Sequence, residues 1–272
     1  MCIRDSIKIP EELENIESEL AQAMLKQYPN VRIICHDEGV DGEFRIRNLR
    51  VLESRDGSTT TQTRIKEHGF FIHVDPSKTY FSGRLSEQRK MTHKAVLKFR
   101  ERFQRPLTVF DPYAGVGPSM AYLYTDSDLT ECVYVNDMNP ETRDLLETNM
   151  NVFDKKRDAE GTYVVGTMDA RSLASSLPET QSMADVLLVN LPHDGIEHLP
   201  DLLPLLSNGQ ALLCGWSIIE KSETEAFMNA LKAILHAGNR KIESDKLDIV
   251  KGFSATKSMV RYECILFSKT NR

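Results

Sequence analysis

After Pro106 the chain alternates short β-branched runs with stretches of helical periodicity, and this alternation limits the possible folds more than any other feature. Strands are expected at 107–111, 132–136, 163–166, 185–190, 210–216, 241–250 and 260–267, with helices at 118–124, 140–151, 196–206 and 222–236. Strand–helix alternation of this kind builds a parallel sheet with right-handed crossovers and helices on both faces. No helical pattern separates the last two strands, so an antiparallel hairpin is expected at one edge. The expectation is an α/β fold with a mostly parallel seven-stranded sheet.

The first hundred residues read differently. A helix is expected over 9–27, where Pro10 sits in the first turn, acidic residues follow, and Leu13, Ile16, Leu20 and Met24 recur at helical spacing. Short strands are expected at 31–35, 43–52 and 69–74, then a helix from Ser86 to about Arg105. This gives a small α+β domain over 1–100 ahead of a second domain over 101–272, with the boundary in the helix at 85–105.

Charge is also uneven. The whole chain carries −6, with 34 Lys+Arg against 40 Asp+Glu, yet residues 40–105 hold 15 basic and 8 acidic residues, a surplus of +7. A basic segment on an acidic protein is a candidate phosphate-binding surface. The five cysteines are scattered without a C-x-x-C pair, which argues against a metal site or disulfide framework. The longest apolar runs are too short to span a bilayer, and Arg4, Asp5 and Lys8 interrupt any leader-like core, so a cytoplasmic protein without a membrane partner is expected.

Four signals fall at the carboxyl ends of successive strands, where open α/β sheets bind ligands. The first is Asp111-Pro112-Tyr113-Ala114-Gly115-Val116-Gly117-Pro118, in which Gly115 and Gly117 allow a tight turn and close approach to a ligand. The second is Asn136-Asp137, with an acidic side chain about 20 residues on, suited to two ribose hydroxyls. The third is Asp169-Ala170, whose carboxylate can accept from an adenine amine. The fourth is Asn190-Leu191-Pro192-His193. Position 120 is Met, so the third glycine of a dinucleotide fingerprint is missing. Together the four resemble the Rossmann-like class I methyltransferases that use S-adenosyl-L-methionine (SAM).

The upstream segment narrows the resemblance. Gly42-Glu43-Phe44-Arg45-Ile46-Arg47, Lys66-Glu67-His68-Gly69 and the run from Asp75 through Tyr80 and Arg84 to Ser86 precede the glycine loop and Asn190-Leu191-Pro192 in fixed order. Over about residues 10–268 the chain resembles the archaeal–eukaryotic tRNA (guanine-N1) methyltransferases, which act on guanine 37 beside the anticodon. The resemblance implies SAM as cofactor, the tRNA anticodon stem-loop as partner, and a monomer. It places Arg45 on guanine O6, Asn190 and Pro192 under the target base, and Tyr80 and Arg84 with Asp111, Ala114, Gly115, Gly117, Asp137, Asp169 and Asn190 around the cofactor. That family also carries a further N-terminal domain contacting the tRNA elbow. This chain starts at what matches the family's second domain: either the protein dispenses with the first or the sequence is a fragment, and if the first is absent a weaker grip on folded tRNA is expected.

The chemistry required is specific. Guanine N1 is protonated near neutral pH and must lose that proton to attack the methyl carbon in line. Charge then builds on O6 and calls for a fixed cation. Relatives commonly read Arg-Leu-x-x-Glu-Arg, with the Glu as proposed base. Here residues 84–89 read Arg-Leu-Ser-Glu-Gln-Arg, so Gln88 stands at that position and Glu87 one residue earlier. Glutamine cannot take up a proton, which leaves Glu87 as candidate base, or Arg45 lowering the N1 pKa for water, or a protein that no longer catalyses the step. A wybutosine-pathway aminocarboxypropyl transferase, a catalytically inactive tRNA-binding relative, and a methyltransferase acting on protein or small molecules are the alternatives.

Overall fold

The computed structural model describes residues 6–42 and 44–269. The chain opens with β1 (Ser6–Ile7), a 3-10 turn over Glu11–Ile16, and α1 (Glu17–Gln27). The single helix expected over 9–27 is therefore split. Leu13 and Ile16 remain exposed, whereas Ala21 and Leu25 are buried, so only the second half has a core to hold it in α geometry. β2 (Ile33–Asp41) pairs in parallel with β1 and antiparallel with β3 (Ile46–Ser54). β3 starts later than its expected 43, because Gly42 and Arg45 lie in the intervening turn with positive φ.

β4 (Thr63–Glu67), not expected from the sequence, pairs antiparallel with β5 (Phe70–Val74). Their link is the two-residue turn His68-Gly69, with φ of 46° and 95°, the geometry that matches strand twist in tight hairpins. α2 follows over Ser86–Arg100.

The large sheet contains β6 (Leu107–Asp111), β7 (Thr130–Asn136), β8 (Thr162–Gly166), β9 (Val186–Val189), β10 (Gln210–Glu220), β11 (Arg240–Gly252) and β12 (Lys257–Ser268). The intervening helices are α3 (Met120–Leu123), α4 (Arg143–Asp154), α5 (Leu173–Ser176), α6 (Gly195–Leu202) and α7 (Thr224–Ala237). Strand order is β11-β12-β10-β9-β6-β7-β8, parallel from β10 to β8, with β12 antiparallel to both neighbours. The chain winds outward from β6 to β8, then returns beside β6 as β9. The exits of β6 and β9 thus flank the reversal point, the place where open α/β sheets bind ligands beyond the strand ends.

Alternate strand residues feed two cores. Val109, Val186 and Leu188 join residues of α2, α3 and α4 on one face, while Phe110, Leu187 and Val189 join those of α5, α6 and α7 on the other. Ile65, Ile72, Val74, Val96 and Phe99 belong to the first of these cores. The β1–β3 sheet has its own small cluster of Ala21, Leu25, Val31 and Ile34. Among the described residues no helix is long and apolar enough to cross a membrane.

Candidate active site

The glycine loop leaves β6 and turns back beside β7. Gly115 (φ 55°) and Gly117 (φ 75°) both take backbone conformations that side chains resist. Ala114 N–H donates to Asn136 O at 2.8 Å, and Gly115 N–H donates to Asp137 Oδ2 at 2.8 Å. A Cβ on Gly117 would stand 2.7 Å from Leu146 Cδ1, so α4 packs directly on the loop. The helix expected from 118 is a single turn, α3, starting at Met120.

Three buried amides hold this region. Asn136 Nδ2 donates to Pro112 O and Met168 O, at 3.1 and 2.9 Å, and its Oδ1 accepts from Met168 N–H, tying together the exits of β6, β7 and β8. Asn149 Nδ2 donates to His73 O and Val116 O, at 2.9 and 2.8 Å, and its Oδ1 accepts from His73 N–H at 2.7 Å. Asn139 Nδ2 donates to Lys78 O at 2.8 Å. The latter two dock the segment leading from β5 onto the loop. There Tyr80 O lies 3.6 Å from the position of a Cβ on Gly115, while the Tyr80 side chain is largely exposed. Arg84 is exposed in the 3-10 turn Gly83–Leu85.

The acidic residues differ in state. Asp111 is buried at the end of β6; burial pushes its carboxyl up to about 7, with the Asp137 charge adding to the rise. Its Oδ1 accepts a long bond of 3.4 Å from Asn190 Nδ2, and its Oδ2 is buried with no hydrogen-bond partner. Asp137 is also raised by burial, opposed by the N–H groups of Asn139 and Gly115. Asp169 moves the other way: hydrogen bonding from the Arg171 side chain lowers it. Its carboxylate caps the turn at Ala170–Ser172 through Arg171 N–H and holds the Arg171 guanidinium at 2.6 Å.

The turn after β9 is pinned from the far side. Pro192 O accepts from Ile218 N–H at 2.8 Å and from Ser217 Oγ at 3.2 Å. The next residue, His193, places Nε2 3.0 Å from Arg45 Nη1. Arg45 reaches it from the β2–β3 turn with φ of 53°, an uncommon backbone state for a residue with a side chain. The Phe253 ring stands edge-on to His193, with centroids 6.4 Å apart.

The structure thus brings Arg45 to the Asn190–Pro192 turn, and Asn190 to Asp111. The exposed carboxylate of Glu87 pairs with His68 Nε2 at 3.2 Å and Lys90 Nζ at 3.8 Å. Gln88 is half-buried in the first turn of α2. Arg89, last in the 84–89 stretch, is buried in a bidentate pair with Glu67, which also accepts from Tyr122 OH at 2.8 Å. Glu43 lies outside the described residues. Phe253 and Asn149 carry no local sequence signal, whereas Asn136 and His193 fall within the strand-end motifs without a role of their own.

Comparison with known proteins gives this geometry a context. Residues 63–236 match the model of the TRM5/TYW2 methyltransferase domain. Trm5b of Pyrococcus abyssi, a tRNA (guanine(37)-N(1))-methyltransferase, is 31% identical over 196 residues, or 71% of this chain and 52% of that protein. This chain therefore spans about half the length of that relative. The crystal structure of Trm5b from P. abyssi aligns with a TM-score of 0.75 at 23% identity, covering 96% of this chain and 72% of the other. The aTrm5 structure, solved in complex with tRNALeu, aligns at 0.71 and 21% identity over 97% of this chain and 69% of its own. TYW2 of Methanocaldococcus jannaschii, solved with AdoMet, aligns at 0.65 and 17% identity over 81% and 90%. These likenesses establish a Rossmann-like methyltransferase fold. Because the family match runs from the β4–β5 hairpin through the sheet as far as α7, the chain belongs to the TRM5/TYW2 methyltransferase family.

Proposed function

We propose that the chain transfers a methyl group from SAM to N1 of guanine 37 in the tRNA anticodon stem-loop, acting as a monomer. The observation that carries this reading is the 3.0 Å contact between Arg45 and His193, which sets a guanidinium over the turn at the sheet's reversal point. The chemistry of guanine asks for a fixed cation beside O6 as N1 loses its proton.

The residues present fit SAM. Gly115 and Gly117 leave the loop backbone open to close approach, and Asp137 retains lone pairs for ribose hydroxyls beyond its two backbone bonds. The orphaned Asp111 Oδ2 is the strongest sign, because a buried acceptor without a partner is costly and the ammonium of a methionine moiety would satisfy it. Asp169 would reach the adenine amine by sharing its Arg171-bound carboxylate. Tyr80 would cover the cofactor from the segment docked on Gly115, with Arg84 a few residues on. When bound, SAM supplies an electrophilic methyl carbon. Asn190 and Pro192 would form the floor under the purine.

The basic stretch over 40–105 supports an RNA partner, and it includes Arg45 itself. We further propose that the chain divides into two units, with the division nearer residue 60 than residue 100. The inclusion of Ile65, Ile72, Val74, Val96 and Phe99 in the core of the large sheet supports that division.

Transfer from methyl-labelled SAM to unmodified tRNA transcripts tests the reading. Label is expected with G beside the anticodon and not with A. Label on the A transcript alone would reverse it, and a product heavier by an aminocarboxypropyl group would assign the chain to the other branch of the family.

A further inference from the structure

Gln88 stands where the resemblance implies a glutamate base, and as an amide it cannot take the N1 proton, which must still go to some group. Glu87 is exposed and pairs at the surface with His68 and Lys90. The crevice beside Asn190 offers another acceptor. Arginine has only donors, so the 3.0 Å contact from Arg45 Nη1 requires His193 Nε2 to carry its lone pair, with the proton on Nδ1. Donor and acceptor thus stand side by side. The Watson–Crick edge of guanine presents the complement, an O6 acceptor next to an N1–H donor. Adenine presents the reverse, an amine donor next to an unprotonated N1.

The third member of the cluster is Phe253. It lies at the start of the tip joining β11 and β12, where its N–H donates to Lys257 O at 2.9 Å. Its ring is 51% exposed although it stands edge-on to His193. An exposed ring beside a donor–acceptor pair is the combination by which proteins hold an unstacked base, the ring taking the base's face and the polar groups its edge. The three side chains come from the β2–β3 turn, the exit of β9 and the β11–β12 tip. All three are exposed, so none is required by a core.

We propose that His193 is the group that takes the N1 proton of the target guanine, with Arg45 beside it on O6 and Phe253 against the face of the base; this rests on the methyl-transfer reading above. The guanine edge enters between the two side chains, replacing their direct contact with one bond to each. The N1–H proton passes to His193 Nε2 and makes an imidazolium. Its electron pair stays on guanine, spread over N1 and O6, where Arg45 donates. N1 then takes the methyl carbon of SAM, the sulfur–carbon bond breaks with its pair going to sulfur, and S-adenosylhomocysteine leaves. The imidazolium returns its proton to water.

The test is single-turnover methylation of a G37 transcript at saturating SAM. Wild-type activity is measured first, and its absence would sink the methyl-transfer reading itself. With wild type active, His193→Gln separates reading from proton uptake, because its carbonyl still accepts from N1–H but cannot hold a proton. The expected result is a rate lower by about 10²-fold or more, as for a general base, with tRNA affinity within about threefold of wild type and the acid limb of the rate profile gone. His193→Ala should lose affinity as well and recover rate with added imidazole. Phe253→Leu should weaken tRNA binding, and Phe253→Trp should restore it. A His193→Gln rate within threefold of wild type would overturn the proposal. So would a slow variant that keeps the acid limb while His193→Ala gains nothing from imidazole.

Discussion

The side-chain amide of Asn149 takes both backbone groups of His73, accepting from its N–H at 2.7 Å and donating to its carbonyl at 2.9 Å, as a neighbouring strand would. Its second N–H reaches Val116 O in the glycine loop. One fully buried residue on α4 thereby fixes the β4–β5 hairpin and the loop to each other. Asn149→Ala would leave three backbone groups unpaired, the buried Val116 carbonyl and the two part-buried groups of His73. Each costs roughly 1–3 kcal/mol, and partial relaxation should bring the total to about 2–4 kcal/mol. Urea unfolding should show this as a lower midpoint with unchanged slope, and an unchanged midpoint would mean that water satisfies the site.

Asp111 links cofactor binding to pH. Its carboxyl titrates at about 7 in the folded chain, raised by burial and by Asp137, against about 3.9 unfolded. Between these values the folded state binds more protons than the unfolded, so this residue makes stability fall as pH rises through the window. A cationic methionine group would favour the ionised form. SAM affinity should therefore weaken as pH falls below about 7, approaching tenfold per pH unit where Asp111 is fully protonated in the free chain. Asp111→Asn should flatten that slope in calorimetric titrations. A wild-type Kd constant from pH 5.5 to 8 would contradict the assignment.

The two loop glycines should respond unequally. A Cβ on Gly115 meets only Tyr80 O at 3.6 Å, an ordinary contact, whereas one on Gly117 meets Leu146 Cδ1 at 2.7 Å. Both positions carry positive φ, which costs a non-glycine residue about 1–2 kcal/mol. Gly115→Ala should weaken SAM binding several-fold through strain alone. Gly117→Ala should weaken it further, by about tenfold for each additional ~1.4 kcal/mol of overpacking. Leu146→Ala should recover part of the Gly117→Ala loss. Equal effects of the two glycine substitutions would show that crowding by α4 is irrelevant.

What was readable in the sequence depended on how local its cause is. β6 is legible to the residue, because Leu107, Val109 and Phe110 form a short β-type run between Pro106 and Pro112. The loops after β6, β7, β8 and β9 were readable because glycines and acids must recur there for any ligand at the strand ends. β4 was not, since Thr63–Glu67 has one apolar residue, Ile65, and its other inward residue is a charged Glu67 neutralised by Arg89, 22 positions away. Asn136 and Asn149 work through backbone groups that have no sequence pattern. The meeting of Arg45, His193 and Phe253 spans more than 200 residues of chain, and only the fold discloses it.

Arg45 should matter to chemistry and not to cofactor binding. It enters the site from the β2–β3 turn, and among the described residues its hydrogen bond across to the large sheet is to His193. Arg45→Ala should lower methyl transfer by about 10²–10³-fold, as for loss of an oxyanion donor, with SAM affinity unchanged. Arg45→Lys keeps the charge but not the planar fork and should recover only part of the rate. Unchanged turnover in Arg45→Ala would reject its place on O6.

The pair Glu87 and Gln88 decides where the proton goes. Glu87 is exposed, and its contacts with His68 and Lys90 are surface pairs of the kind that contribute little to stability. If His193 takes the proton, Glu87→Gln should leave single-turnover rates within about threefold of wild type, below the 10²–10⁴-fold expected for loss of a general base. Gln88 stands where the resemblance implies a glutamate, half-buried in the first turn of α2. Gln88→Glu in the His193→Gln background would return a carboxylate to that position. The double variant should regain about tenfold or more of the lost rate, with a new acid limb set by a carboxylate instead of an imidazole. A rate falling about 10²-fold in Glu87→Gln, with no recovery in the double variant, would return the role to Glu87 and leave His193 as a reader of the guanine edge.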